Sequence, residues 1–357
     1  MSSGSTKNLP RVGITIGDLN GIGPEIIIKA FKDDRFLNKC VPVIYGSAQT
    51  MIYHKKLIHN KHFNFQVVDD ASKAQPKKIN LVNAWNDEVK IEVGQPSVST
   101  GKAAYASIQK AVEDYKNGHI TSIVTAPINK KTVQQAGMDF PGHTDYFAAQ
   151  FDTDQHLMLL VGETMKVAVV TGHIPISEVA NELSKKKILK SIKALNKALI
   201  EDFSHERPSI AVLGLNPHAG ENGTMGDEEE ENIQPALDEA RRQNINVNGP
   251  YPSDGFFGTG MHHKFDAILA MYHDQGLIPF KLLEFENGVN CTVGLPLIRT
   301  SPDHGTAYSI AGKNEAHPQS MIEAIYLALK IEQNRNIHEE ITANPLETKM
   351  EKEKDRE

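Results

Sequence analysis

Three short β-branched runs in this chain each end in a histidine. The run 167–171 leads into Gly172-His173, the run 210–215 into Asn216-Pro217-His218, and the run 265–271 into Tyr272-His273-Asp274-Gln275-Gly276. Taken singly, each histidine reads as a capping or hydrogen-bonded loop residue. Taken together, three neutral imidazoles at the same station of three strands suit a divalent metal with an open coordination position. Such a metal lowers the pKa of a bound hydroxyl and polarises a neighbouring carbonyl.

Two further clusters have anion chemistry. Gly142-His143-Thr144-Asp145 sets donors beside a flexible glycine, which suits phosphate or carboxylate. The same residues also read as a helix start, with Thr144 or Asp145 capping a helix from Tyr146. Lys281, Asn290 and Arg299 precede a turn-rich stretch, Thr300-Ser301-Pro302-Asp303-His304-Gly305-Thr306. Cations among hydroxyl-bearing turn residues form an anion pocket or, taken singly, a solvated surface. Other matches fail. Gly21-Ile-Gly23 lacks the third glycine of the dinucleotide fingerprint, and Gly101-Lys102 runs into Ala103, so it is no P-loop. The acidic run Asp227 to Glu231 reads as a helix opening, where acids suit the dipole. His262-His263 reads as solvent-facing.

The elements that position these residues alternate along the chain. Strand-like runs at 12–16, 41–45, 65–68, 120–125, 167–171, 210–215 and 265–271 are interleaved with helix-period stretches at 24–32, 100–117, 177–184, 186–203, 232–243 and 319–333. That alternation predicts βαβ units and a largely parallel sheet. Runs such as VAVV and IAVLGL are apolar on both faces, as in strands covered by helices on each side. Ligands in such sheets bind beyond the carboxyl ends of the strands, where the three histidines fall.

Composition bounds the rest. A chain of 357 residues suggests about two domains at roughly 150 residues each. Hydrophobic residues at 39% and charged residues at 23% are ordinary globular values. A net charge of −7 argues against a nucleic-acid surface. Two cysteines, Cys40 and Cys291, give no disulfide framework and fit a reducing cytoplasm. The polar start predicts no signal peptide, and no apolar run is long enough for a transmembrane helix.

The segments GITIGDLNGIGPEI, TAPINK, GHTDYFA, GLNPHAGENG, AMYHDQGLIPFK and GLPLIRTSPDHGTAYSIAG, in this order, closely resemble the 4-hydroxythreonine-4-phosphate dehydrogenase family of vitamin B6 biosynthesis. The resemblance spans about residues 11–330. It implies an α/β fold similar to isocitrate and isopropylmalate dehydrogenases, with two α/β/α domains flanking a cleft and NAD bound without a Rossmann fingerprint. The implied domains are 9–135 with 283–335 on the cofactor side, and 136–282 carrying the metal site and dimer interface. Residues 1–8 and 336–357 are expected as disordered or frayed ends.

Carried over by motif, the metal ligands are His173, His218 and His273; imidazole chemistry, not the motif, favours zinc, with cobalt, nickel, iron or magnesium as alternatives. The substrate contacts are His143, Thr144, Lys281, Asn290 and Arg299, and the cofactor loop is His304, Gly305 and Thr306. Lys281 also counts with the catalytic groups, as does Asp254, either behind the metal or as a proton acceptor. The implied reaction oxidises the 3-hydroxyl of 4-phosphooxy-L-threonine with NAD and then loses CO2, giving 3-amino-2-oxopropyl phosphate. A 4-phosphothreonate or phosphoerythronate dehydrogenase is the near alternative, and a phosphate acyltransferase the remote one. The family also implies a homodimer in which the histidine of YHDQG reaches the other subunit's metal site, with no nucleic-acid or membrane partner.

Overall fold

A computed structural model describes residues 9–32 and 34–344. The ends 1–8 and 345–357, expected as disordered, lie outside the described residues. Twelve strands form one sheet: β1 (Arg11–Thr15), β2 (Val41–Gly46), β3 (Gln66–Val68), β4 (Asn80–Asn83), β5 (Ser122–Thr125), β6 (Leu157–Val161), β7 (Lys166–Val169), β8 (Ile210–Leu213), β9 (Val247–Tyr251), β10 (Ala267–Ala270), β11 (Val289–Val293) and β12 (Ile298–Pro302). Their order is β3-β4-β2-β1-β5-β12-β11-β6-β7-β10-β8-β9. Pairing is parallel except at the centre, where β12, β11, β6 and β7 run antiparallel to their successive neighbours. All seven strand-like runs of the sequence contain a strand. Five strands were not foreseen: β4, β6, β9, β11 and β12.

Helices cover both faces, giving three layers. On one face the apolar core is continuous across the sheet. It joins Val12 and Ile14 of β1, Cys291 of β11, Leu159 of β6 and Ile210 of β8 to the helices Gln319–Thr342 and Lys185–Glu201. On the other face the core is divided. Tyr45, Ile108 and Ile123 belong to one cluster, and Leu160, Val167 and Phe280 to another.

The gap between those clusters follows from the pleat, since successive side chains alternate between faces. Along β11, Val289, Cys291 and Val293 point to the continuous core, which leaves Asn290 and Thr292 on the divided face. Along β12, Ile298 faces that core and Arg299 lies opposite Thr292. Polar side chains therefore stand at the middle of the sheet, where a third apolar patch would otherwise close it.

The helix Gln319–Thr342 extends well past the predicted stretch 319–333 and into the part expected as a frayed end. Among the described residues no helix is long and apolar enough to cross a membrane.

Candidate active site

A cavity of about 820 Å³ occupies the gap. Its floor is Arg299, only 3% exposed. The guanidinium donates from Nε and Nη2 to Thr125 Oγ1 at 3.2 and 2.8 Å, and from Nη1 to Thr292 Oγ1 at 3.1 Å. Among the described residues no carboxylate answers this charge, and burial pulls its pKa down to about 10, so it stays a cation at neutral pH. A buried cation held only by neutral hydroxyls is costly without an anion.

The structure supplies an anion slot beside it. The helix His143–Gln150 starts three residues before the Tyr146 of the capping reading, with Gly142 as its cap in place of Thr144 or Asp145. That puts the electropositive helix end, with Thr144, at the cavity wall. Thr144 Oγ1 lies 3.4 Å from Thr292 Oγ1. His143 Nε2 is buried without a partner, as are Asn290 Oδ1 and His304 Nε2. Burial, with Arg299 and Lys130 adding, drives His143 well below the usual imidazole range, so it is neutral.

Lys281 reaches the cavity from the helix His273–Glu284. Its ammonium donates to the carbonyl of Asp303 and pairs with Asp303 Oδ2, each at 3.1 Å. Burial raises the Asp303 pKa, and Lys281 opposes that rise.

His173 and His273 stand together at the cavity wall, their ring centroids 5.7 Å apart. His273 opens its helix, and its Nδ1 lies 2.7 Å from Asp274 Oδ1, which leaves Nε2 free. A carboxylate on the second ring nitrogen is the usual support of a metal-binding imidazole. Lys130 Nζ approaches His173 Nε2 at 3.4 Å. Burial, then Lys130 and His273, lower the His173 pKa, which favours the neutral form a metal needs.

His218 is not with them. It follows β8 on an exposed turn whose six consecutive residues, 218–223, all have positive φ. Each such non-glycine residue costs about 1–2 kcal/mol. Asp254 is exposed on the helix Ser253–Gly258, which packs against that turn, also away from the cavity. Among the described residues no three His, Cys, Asp or Glu side chains converge on one metal position. The expectation that His273 serves the other subunit's site also meets a different arrangement, since His273 sits beside His173 of its own chain, and His218 is the one apart.

The loop expected to take the cofactor divides as well. His304 and Gly305 line the cavity, with open space above the Gly305 Cα. Thr306 turns inward, its carbonyl accepting from Ile22 N at 3.0 Å and its side chain pressed on Gly21. Tyr308 anchors the loop by donating to buried Asp18 at 2.8 Å. His262, read as solvent-facing, is buried beneath Phe257 and His263, whose ring lies 4.0 Å away.

Several positioning residues escaped sequence reasoning. Gln275 accepts from Met271 N at 2.7 Å and donates to Gly214 O at 2.6 Å and Ser253 Oγ at 2.7 Å. It thereby ties three strand-end loops together. It stands within YHDQG, two residues past His273. Thr125 and Thr292, which hold Arg299, carried no local signal, because only the β5–β12–β11 pairing brings them together.

The comparisons with known proteins agree in sequence and in shape. The model of the family described as Pyridoxal phosphate biosynthetic protein PdxA matches residues 38–328. A 4-hydroxythreonine-4-phosphate dehydrogenase of Bacteroides thetaiotaomicron is 46% identical over 341 residues, covering 95% of this chain and 93% of that protein. One of Aquifex aeolicus is 44% identical over 317 residues, covering 89% of this chain and 97% of that protein. The crystal structure of the Klebsiella pneumoniae 4-hydroxythreonine-4-phosphate dehydrogenase superposes with a TM-score of 0.81 at 37% identity, covering 92% of this chain and all of that one. By sequence, by fold and by the span of both matches, the chain belongs to the PdxA family of pyridoxal phosphate biosynthetic proteins.

Proposed function

We propose that the cavity oxidises 4-phosphooxy-L-threonine at its 3-hydroxyl with NAD and releases CO2, leaving 3-amino-2-oxopropyl phosphate. The observation that carries this reading is the buried, acid-free Arg299 guanidinium on the cavity floor, within a cavity that also holds two adjacent imidazoles. The floor suits an anionic end of the substrate, and the imidazoles suit its reacting hydroxyl.

The chain's own residues divide the work. Arg299, Thr144 and the amide end of the helix His143–Gln150 grip an anionic group of the substrate. Neutral His143 offers Nε2 to it. Asn290 Oδ1, an acceptor without a donor, faces the substrate's ammonium. Lys281, steered by Asp303, is the cation beside the reacting centre, placed to hold negative charge as the carboxylate is lost. His304 and Gly305 give the cofactor an imidazole Nε2 without a partner and a close backbone approach.

His173 and His273 fit two of three positions on a divalent metal, and zinc suits an all-imidazole set. When bound, that metal supplies Lewis acidity to the substrate hydroxyl, and the nicotinamide supplies a hydride acceptor.

A second copy of the chain completes the reading. His218 and Asp254 sit together on neighbouring elements, exposed and away from the cavity of their own chain. The helix that starts at His273 also carries an exposed apolar stripe: Ile278 is 66% exposed and Leu282 82%. Residues 136–282 then form the lobe that dimerises, and 9–135 with 283–335 the lobe that holds the cofactor. A dimer through this stripe delivers His218 of each subunit to the His173–His273 pair of the other.

The test is NADH production from 4-phosphooxy-L-threonine, with 4-phosphothreonate assayed in parallel and each run with and without a chelator. Chelator-sensitive turnover of the amine substrate is expected. Preference for the threonate moves the substrate to the sugar-acid reading, and turnover untouched by chelator removes the metal.

A further inference from the structure

We infer that Glu229 is the positioning residue for His218, setting the metal affinity of a site it does not touch. This rests on reading His218 as a metal ligand.

His218 stands on backbone that L-residues disfavour. Backbone bonds close the turn on itself, from Ala219 N to Asn216 O at 3.1 Å, Glu221 N to His218 O at 3.3 Å and Met225 N to Gly220 O at 3.0 Å. Glu229 fixes the turn's entry from β8. Its side chain is buried at 4% exposure, beneath the turn. Oε1 accepts from Leu215 N at 2.7 Å and Asn216 N at 2.8 Å, and Oε2 accepts from Asn216 Nδ2 at 2.9 Å. Asn216 Nδ2 also donates to Glu228 Oε2 at 2.7 Å.

The clamp and the turn interlock sterically. A Cβ at Gly220 would stand 2.7 Å from Glu229 Oε2, and one at Gly214 would stand 3.0 Å from Oε1. Both glycines therefore leave room for this carboxylate. The acidic run does open a helix, as its sequence suggests, but through a π turn, Glu229–Ile233, before the regular helix Gln234–Arg242. Such turns recur at functional sites. Here the turn sends Glu229 inward while Glu230 and Glu231 stay exposed. The carboxylate holds the backbone two and three residues before His218, and loss of a support behind a metal ligand typically costs about 10–100-fold in metal affinity.

Glu229→Gln keeps the volume but turns an amide against Asn216 Nδ2, which already donates to Glu228. The chelator-stripped full-length protein is titrated with Co2+, whose visible absorption reports imidazole coordination, at a temperature where circular dichroism shows each variant folded. His218→Ala is titrated alongside. The expected result is a Co2+ Kd raised about 10–100-fold in Glu229→Gln, with a larger rise in His218→Ala. A normal Co2+ Kd in a folded Glu229→Gln protein, with His218→Ala impaired, overturns the role of Glu229 and leaves the ligand reading standing. A normal Kd in His218→Ala overturns the ligand reading and the proposal with it. If Glu229→Gln does not fold, Asn216→Ala removes only the side-chain half of the clamp. A weakened Co2+ site then supports the proposal, and an unchanged one sinks it.

Discussion

Arg299 shows how a residue can be named from sequence while its role needs the fold. Lys281 and Arg299 read equally as anion binders or as solvated surface, because a lone cation in a turn-rich stretch carries no burial signal. The sheet separates them. Arg299 is buried on hydroxyl partners and Lys281 is paired to Asp303, so the two cations meet an anion on different terms. Arg299→Lys retains the charge but loses the fork that spans Thr125 and Thr292. Steady-state kinetics should show the KM for the phosphorylated substrate rising about tenfold or more, with kcat changed less, as expected when a binding contact is lost. An unchanged KM would return Arg299 to a purely structural role. His218 and Asp254 mark the limit at this scale, since their motifs are legible but no single chain shows what they meet.

Strands were legible where β-branched residues run together, and hidden where one face serves the site or where, as in the Leu-Met-Leu-Leu-Val of β6, Leu and Met stand in for β-branched residues. β1, β2, β8 and β10 read directly from β-branched runs. β11 and β12 did not, because Asn290, Thr292, Arg299 and Ser301 interrupt the apolar pattern at the positions that line or support the cavity. The helix His273–Glu284 was masked by Gly276 and Pro279 inside it. Gly276 is there because a Cβ would come within 2.7 Å of Val167 on β7.

The helix Ala48–Leu57 was also missed, and it carries a buried base. His54 is 2% exposed, its Nε2 has no partner, and burial lowers its pKa to about 4. The unfolded chain therefore binds a proton near pH 6.5 that the folded one refuses until about pH 4. Its contribution is intact above that window and falls as the pH drops through it, by about 3 kcal/mol at most. Thermal melts of wild type and His54→Gln should show the wild-type advantage shrinking steadily from pH 7 to pH 4. A constant gap would mean that His54 is solvated or paired.

At the scale of the whole molecule, one apolar core runs continuously along one face of the sheet and two separate clusters cover the other, with the cavity between them. The strand-end rule pointed to the carboxyl edge of the sheet, where the cavity holds His173 and His273 but not His218; under the proposed pairing His218 serves a second copy, which no reading of one chain can show. Mixed dimers measure it. His173→Ala and His218→Ala proteins, each inactive alone, should restore roughly a quarter of wild-type sites when reassembled at random, since half the dimers are mixed and one site in each escapes both lesions. His173→Ala mixed with His273→Ala should restore none, because both lesions fall on residues of one chain's cavity. Recovery in the second mixture, with heterodimers proven by mass spectrometry, would reverse the assignment.

The two rims of the sheet constrain how any such partner arrives. β3 is only three residues long, and β9 carries Pro250, which has no N–H to offer a neighbouring strand. Each rim thus offers a neighbouring chain only a short or interrupted ladder of backbone groups. The proposed pairing uses a helical face instead, and a two-fold contact of that kind closes on itself.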